Sequence, residues 1–464
     1  MRPMLAVALL PLLLGGCASL SADGGMAPVQ QAAQARLGKN IQAIKTEGDQ
    51  AEISKRVAEL LARPLDADAA VQIALLNNRG LQASFQELGI AEAEMVQASR
   101  LPNPGFSIGR FKRADEREIE RTFTFDLAHL IALPLTRPME SRRFAAVQSS
   151  VAMEMFVLAA ESRKAFYAAV AAEQSARYMR DVTASADAGA ELAKRLTQAG
   201  NWTKLQQARE HGFFSEAALN SARAEAARVA TRERLIRLLG LWGMQTRFTL
   251  PDRLPALPDE AHERPDIEQV AMAQRLDVQA AKQQAEVTAK NLGLTKVTRF
   301  VNALEFGYMR NGSNEAPRQT GYEISIEIPL FDWGGARIAK AEAVYMQSVQ
   351  RAAQVAIDAR SEVREAYLGY RSSYEIARHY RDDVVPTAKR ISDENLLRYN
   401  GMFISVFELL ADARSQISAV NSSIEALRDF WMAQADLDMS LIGKPSLALG
   451  ASAAMVTGKA GPAH

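Results

Sequence analysis

At 464 residues with a formal net charge of +1, the chain has room for two or more ordinary domains. It has no broad basic field, which argues against a nucleic-acid partner. Aromatic residues make up only 7 % and alanine is abundant, so the composition favours long helices over a thick globular core.

The N-terminus, "MRPMLAVALLPLLLGGCASL", has a positive Arg2, an apolar run from Leu5 to Leu14, and Gly15–Gly16 just before Cys17. Its length and small-residue end predict a secretory signal rather than a spanning helix. "LGGC" is similar to the lipobox of bacterial lipoproteins, in which the cysteine is diacylated and becomes the mature N-terminus. Cys17 is the only cysteine, so no disulfide can form within the chain. Ala18 follows it where an Asp would signal inner-membrane retention. No other segment offers roughly 18 uncharged apolar residues, so any bilayer crossing is expected to use strands.

An internal repeat organises the remainder of the chain. "GLQASFQELGIAEAEMVQASRLPNP" (80–104) leads into strand-like sequence, then "ALPL" (132–135), then a long helical stretch ending at "TQAGNW" (197–202). In the second half "DVQAAKQQAEVTAKNLGLTKVTRF" (277–300) leads to strand-like sequence, then "EIPL" (327–330), then a helical stretch ending at "RYNGMF" (398–403). Gln82 to Pro134 spans 52 positions and Gln279 to Pro329 spans 50, while Pro134 to Gly200 spans 66 and Pro329 to Gly401 spans 72. Each half reads helix, strand, strand, long helix, turn, helix. "LPDRLPALPDEAHERPD" (250–266) carries four prolines and reads as the linker between them.

The strands alternate with period two. "RTFTFDL" (121–127) sets Phe123, Phe125 and Leu127 against Thr122, Thr124 and Asp126. "GYEISIEI" (321–328) sets Tyr322, Ile324, Ile326 and Ile328 against Glu323, Ser325 and Glu327. "GFSIGRF" (105–111) and "FVNALEFGYM" (300–309) alternate less cleanly, their better faces being Phe106/Ile108 and Leu304/Phe306/Tyr308. Strands of this kind fit a transmembrane β-barrel. The edge of a soluble sandwich would show the same alternation. Four strands cannot close a barrel, and an open edge in lipid is forbidden, so several copies would have to contribute.

From Arg137 to Ala199 the only proline is Pro138, which is expected in the first helical turn. Such a helix would be about 95 Å long at 1.5 Å per residue. A seam of Phe144, Gln148, Val151, Met155, Leu158, Ser162, Ala165, Ala169, Ala172, Ala176 and Met179 has coiled-coil spacing and small residues. Gly200 and Gly401 are expected to reverse the chain through positive φ, giving long antiparallel hairpins.

The duplicated layout, "ALLNNRGLQASFQELGIAEAEMVQASRLPNP", "IPLFDWGGARIAKAEA", and the turns "LTQAGNW" and "LRYNGMFISVFELLADAR" together resemble the TolC/OprM family of outer-membrane channels, in its lipoprotein branch. That resemblance covers nearly the whole mature sequence. It implies a mainly α fold with a small β part, in which four strands per chain join a trimeric 12-stranded barrel continuous with a periplasmic α-helical barrel. The layout becomes a signal peptide over 1–17, an N-terminal periplasmic segment over 18–65, repeats over 66–249 and 267–444 around the 250–266 linker, and a disordered tail over 445–464.

The implied function is a passive exit duct of a tripartite efflux system in the outer membrane of a Gram-negative bacterium. Its partners would be two further copies, a periplasmic adaptor, an inner-membrane pump and outer-membrane lipid. Cys17 would carry the lipid anchor. Phe123, Phe125, Tyr322, Ile324, Ile326 and Ile328 would face lipid. Gly200, Asn201, Asn400 and Gly401 would form tip turns that contact the adaptor. Tyr399, Glu408 and Asp412 would gate the periplasmic mouth, the last two as stacked acidic rings or, equally, as ordinary charges on an outer helix face. A type I secretion exit channel, a periplasmic adaptor and an envelope-spanning coiled-coil lipoprotein are the alternatives. An adaptor would show its hairpin once, whereas here the unit repeats.

Enzymatic chemistry is not expected. His129, His211, His262, His379 and His464 are scattered without metal-ligand spacing, and no phosphate-binding Gly loop or nucleophile elbow occurs. The sixteen methionines fall mostly singly in helices and read as gap-fillers, so neither a metal nor a cofactor is expected.

Overall fold

The structure is a computed structural model that describes residues 19–298, 304–326, 331 and 333–445. Cys17, Ile328 and the tail beyond Pro445 lie outside the described residues. In chain order the elements are α1 (Ala27–Leu37), α2 (Glu47–Leu61), α3 (Ala67–Asn77), α4 (Arg79–Ala98), β1 (Gly105–Arg113), β2 (Glu116–Asp126), α5 (Leu127–Gln198) and α6 (Lys204–Leu239). Then come α7 (Ile267–Gln274), α8 (Leu276–Thr298), β3 (Leu304–Ser313), β4 (Gln319–Ile326), α9 (Gly335–His379), α10 (Val385–Asn400) and α11 (Val406–Ser440). The expected helix–strand–strand–helix–helix order is present twice.

The chain divides into two compact units, each drawing on both repeats. A sheet-bearing unit takes Met1–Ala32, Ser84–Ala152 and Leu276–Ile357, and a helical unit takes Ala33–Ala83, Met153–Arg275 and Asp358–His464.

In the sheet-bearing unit all four strands form one antiparallel sheet in the order β1-β2-β3-β4. Asp126 ends β2 and caps the helix after it, its Oδ1 accepting the His129 N–H at 2.8 Å. Helix α5 therefore begins at Leu127 rather than Arg137. Leu127 is helical, and Pro134 and Pro138 lie inside the helix rather than in its first turn. Pro138 has no N–H to give to the Pro134 carbonyl one turn back. Elsewhere in this unit the buried hydroxyls of Thr288 and Ser348 lie 2.6 Å apart, joining α8 to α9.

The helical unit is held by apolar packing between long helices. Phe166, Val170 and Ala169 of α5 pack with Ile53 and Val57 of α2, Ile73 and Ala74 of α3, Leu235 and Leu239 of α6, and Ile424 of α11. The predicted α5 seam is the packed one: Val151, Met155, Ser162, Ala165, Ala169 and Ala176 are all buried. Within Thr136–Gln198 an eighteen-residue window reaches mean hydropathy 1.3, enough for a membrane span by length and composition. That window still carries charge, Glu154 among it, so it is not the uncharged apolar run that the sequence lacks.

"ALLNNRG" has a visible structural task. The Asn77 amide donates to the carbonyls of Leu239 (3.1 Å) and Gly240 (2.7 Å), and the Asn78 amide donates to Leu238 (2.9 Å). These bonds satisfy carbonyls that the C-terminus of α6 leaves without helical partners. Gly240 ends that helix with φ +65°, and a Cβ there would lie 2.6 Å from the Asn77 carbonyl oxygen. Gln72 and Gln82 bind the backbone of Asn40, Gln42 and Ile44, which fixes the stretch before α2.

The Pro-rich 250–266 stretch is a packed strap. Leu254 and Leu257 are buried, Trp431 donates to the Pro255 carbonyl, and the Tyr370 hydroxyl accepts the His262 N–H. Arg275, 1 % exposed, donates to Glu362 Oε2 at 2.7 Å and to the carbonyls of Ala359 and Ser440. Lys164 is likewise buried, with Glu161 and Asp436 each 2.9 Å away. Burial pushes the Asp436 carboxyl up, and Lys164 partly offsets this. The expected single helix up to Gly401 is broken: α9 gives way to a π-helical segment, Tyr380–Val384. Pro386, in the first turn of α10, cannot supply the N–H that regular α-helical pairing would require.

Candidate functional site

Two places concentrate the residues that sequence singles out, one in each unit. The first is the sheet. Its register lines up Phe106, Phe123, Tyr308 and Tyr322 in one cross-strand row. The next row toward the helices is Phe125, Phe306 and Ile324. Paired residues share a face, so these rows form one apolar surface. It faces outward: Tyr322 is 76 % exposed and Ile324 57 %, and Phe106, Phe123, Phe125 and Tyr308 are exposed as well. The Phe106 and Phe123 rings lie 4.7 Å apart. Ile326 occupies the same strand face by register. Leu127, predicted with this set, belongs to α5 instead.

The opposite face is mainly polar and acidic, with Phe111 and Met309 as its apolar members and Arg113 as its cation by register. Glu116, Glu118, Glu120 and Asp126 of β2, Glu305 of β3 and Glu323 of β4 share it with Ser107, Thr122, Thr124, Asn311 and Gln319. β1 and β4 are the two edges of the sheet, each with one neighbour. An edge strand carries unpaired N–H and C=O groups that another chain can pair with.

The second place is the pair of hairpin tips in the helical unit. Between α5 and α6, Gly200 takes φ +79°, the Asn201 N–H donates to Leu196 at 2.9 Å, and Thr203 starts α6 with a capping box to Gln206. Between α10 and α11 the same pattern appears two residues past Asn400. The Phe403 N–H donates to Arg398 at 2.9 Å, and Ser405 starts α11 with a capping box to Glu408. The left-handed residue there is Met402, at φ +62°, whereas Gly401 has φ −81°. The expected reversal at Gly401 is thus displaced by one residue. A Cβ at Gly401 would lie 2.8 Å from the Phe403 ring, which is exposed and can shift.

Glu408 and Asp412 lie one turn apart on α11 as expected, and each has a partner. Glu408 Oε2 accepts the Ser405 N–H at 3.2 Å, and Asp412 accepts from the Asn395 amide across the hairpin. Glu408 is exposed, Asp412 half-buried and Tyr399 exposed. Sequence reasoning missed Arg414, which makes two 3.1 Å hydrogen bonds to both oxygens of buried Glu210 and stacks 4.2 Å over Phe213. This clamp ties α11 to α6, one element from each repeat. Among the described residues no group of His, Cys, Asp or Glu could hold a metal ion.

No protein-family model matches the chain, and no curated protein sequence does. Solved structures do match. A membrane protein from Pseudomonas aeruginosa aligns over 81 % of this chain and 93 % of its own at TM-score 0.69 and 18 % identity. The outer membrane protein VceC of Vibrio cholerae aligns over 82 % and 96 % at TM-score 0.68 and 14 % identity. The open-state MtrE outer membrane channel of Neisseria gonorrhoeae aligns over 81 % and 88 % at TM-score 0.67 and 17 % identity. The fold is therefore the one found in these membrane proteins, and the mainly helical, duplicated TolC-like fold expected from the sequence is the one observed, with its four strands in one sheet.

Proposed function

We propose that the protein is an outer-membrane channel, the passive exit duct of a tripartite efflux system. The observation that carries this is the sheet: one exposed apolar face, one acidic face, and two unpaired edges. An exposed apolar sheet of this kind is an aggregation hazard in water and an asset in lipid. Its open edges would be forbidden within a bilayer, so they must pair with other copies. Three chains supply twelve strands, the acidic faces lining an aqueous lumen. The fold shared with VceC and the MtrE channel supports the same reading.

In this reading the helical unit is the periplasmic duct, and the tips around Gly200–Asn201 and Asn400–Gly401 meet a periplasmic adaptor loaded by an inner-membrane pump. Tyr399, Glu408 and Asp412 sit at the mouth, the two carboxylates repeating threefold as acidic rings. Cys17 carries acyl chains that add to anchoring in the outer membrane. No catalytic step is required.

Planar-bilayer recording of the purified full chain tests the proposal. Stepwise conductance, cation-preferring and less so in Glu408→Ala and Asp412→Ala, is expected. A protein that inserts in no bilayer and conducts nothing would overturn the channel; unchanged selectivity in both variants would remove only the acidic rings. Palmitate labelling of wild type but not of Cys17→Ser tests the anchor.

A further inference from the structure

The carboxylates of the sheet are confined to one face, and on the apolar face the cations are sorted by height. Moving from the aromatic row toward the β1–β2 turn, the next row on that face is Ile108, Arg121, Arg310 and Thr320. Beyond it lie Arg110, Ile119 and Gly312, and then Lys112 and Arg117. Five cations thus occupy the turnward half of this face, and every carboxylate of β1 to β4 lies on the other face. At about 3.4 Å per residue the three cationic rows stand roughly 7, 14 and 20 Å above the aromatic row.

Arg110, Lys112, Arg117 and Arg310 are exposed and Arg121 is half-buried. Among the described residues none of the five forms an ion pair with a carboxylate. Five like charges on one small surface, unneutralised within the chain, call for an anionic partner. A basic residue facing hydrocarbon at the bilayer midplane costs about 2–4 kcal/mol, a cost that falls toward zero at the interface. The aromatic row marks that interface, where Tyr and Trp belts characteristically lie. The cations begin one row above it.

We propose that this outward-facing basic surface, centred on Arg121 and Arg310 and extended by Arg110, Lys112 and Arg117, binds the phosphate groups of lipids in the leaflet on the turn side of the membrane. Arg121 and Arg310 are direct cross-strand partners, so their guanidinium groups can share one phosphate between them. Lys112 and Arg117 pair in the same way on the first hairpin. The opposite face carries Arg113 among six carboxylates, whose charge disfavours phosphate there, so the preference is one-sided. In a threefold assembly the surface repeats around the barrel as a basic collar. Among the described strand residues the helix-bearing ends carry no basic residue on this face, so the two leaflets are read differently. This inference rests on the barrel reading above.

The test uses the purified full chain in detergent, incubated with bisphosphorylated lipid A, with the same lipid after removal of its phosphates, or with inorganic phosphate as competitor. Bound lipid is measured per chain by native mass spectrometry, and insertion is scored separately by flotation with zwitterionic phosphatidylcholine vesicles. Wild type should retain the phosphorylated lipid and not the dephosphorylated one, with no displacement by equimolar inorganic phosphate. Arg110→Gln/Arg121→Gln/Arg310→Gln should bind about a hundredfold more weakly, taking roughly a factor of five for each cation at an anionic surface. The same variant should still float. Glu118→Gln/Glu120→Gln, on the opposite face, should bind as wild type does. Equal binding by wild type and the triple variant, or equal binding of the dephosphorylated lipid, overturns the inference while leaving the barrel standing. Displacement by inorganic phosphate reduces the surface to an anion site and overturns the lipid assignment. A wild type that does not float overturns the barrel reading and this inference with it.

Discussion

The sheet and the helical unit resolve opposite problems. In the helical unit apolar residues are inside, and its buried charges find partners within the chain: Arg275 with Glu362, Lys164 with Asp436, Glu210 with Arg414. In the sheet Phe123, Phe125, Tyr322 and Ile324 point outward, and among the described residues the edges are unpaired and the cations of the turnward rows have no carboxylate partner. One region is self-sufficient, while the other leaves an apolar face exposed and two edges unpaired. On the proposed reading, the alternation that would be a fault in a soluble protein is a specification for lipid and for further copies.

The largest effect should come from breaking the self-sufficient side. Arg275→Ala leaves Glu362 without its partner and empties a buried site, at a cost of about 3–5 kcal/mol. Chemical denaturation followed by circular dichroism should show a clearly lower midpoint, whereas a surface variant such as Arg253→Ala should not. Breaking the sheet should look different. Ile324→Arg puts a charge on the exposed apolar face and, if that face meets lipid as proposed, should cost about 2–4 kcal/mol of membrane stability. Vesicle insertion should fall while the helical signal of the detergent-held chain stays unchanged. Loss of helix along with insertion would contradict the separation of roles.

Asn77→Ala tests how the helical unit satisfies its own backbone. It leaves the Leu239 carbonyl and the Gly240 carbonyl without side-chain donors, at roughly 1–3 kcal/mol. Hydrogen exchange should rise at the C-terminal end of α6 and the start of α4, and not at the tips. The smallest effect concerns the tips. Met402 holds the left-handed conformation that costs a non-glycine residue about 1 kcal/mol, so Met402→Gly should be neutral to stabilising and Gly200→Ala destabilising by a similar amount. Opposite signs in thermal shift confirm that Gly200 and Met402 are equivalent positions. Equal signs would restore Gly401 as the reversal residue.

Much of this was legible in the sequence, and the reasons for the rest are local. Period-two alternation identified all four strands and their exposed apolar face, because a strand exposes its pattern without reference to the rest of the fold. The α5 seam was legible for the same reason. The start of α5 was not, since Pro138 suggested a first turn while Asp126 was already acting as a cap. The second tip was misplaced by one residue because Gly401 looked like a helix terminator, while the left-handed residue is Met402. The capping boxes Thr203–Gln206 and Ser405–Glu408 would have given the right register: each begins three residues past the left-handed position. The clamp from Arg414 to Glu210 joins residues about two hundred positions apart, and no local pattern announces it. The basic rows were readable by parity, by assigning each charge as well as each apolar residue to a face.

The central claim is that the sheet is completed by other copies of the same chain, and the number of chains per folded particle tests it most directly. Mass determination of the full-length protein in lipid nanodiscs should give three chains, with dissociation accompanied by loss of β structure. A single folded chain inserted in lipid, with its β1 and β4 edges unpaired, would contradict the account.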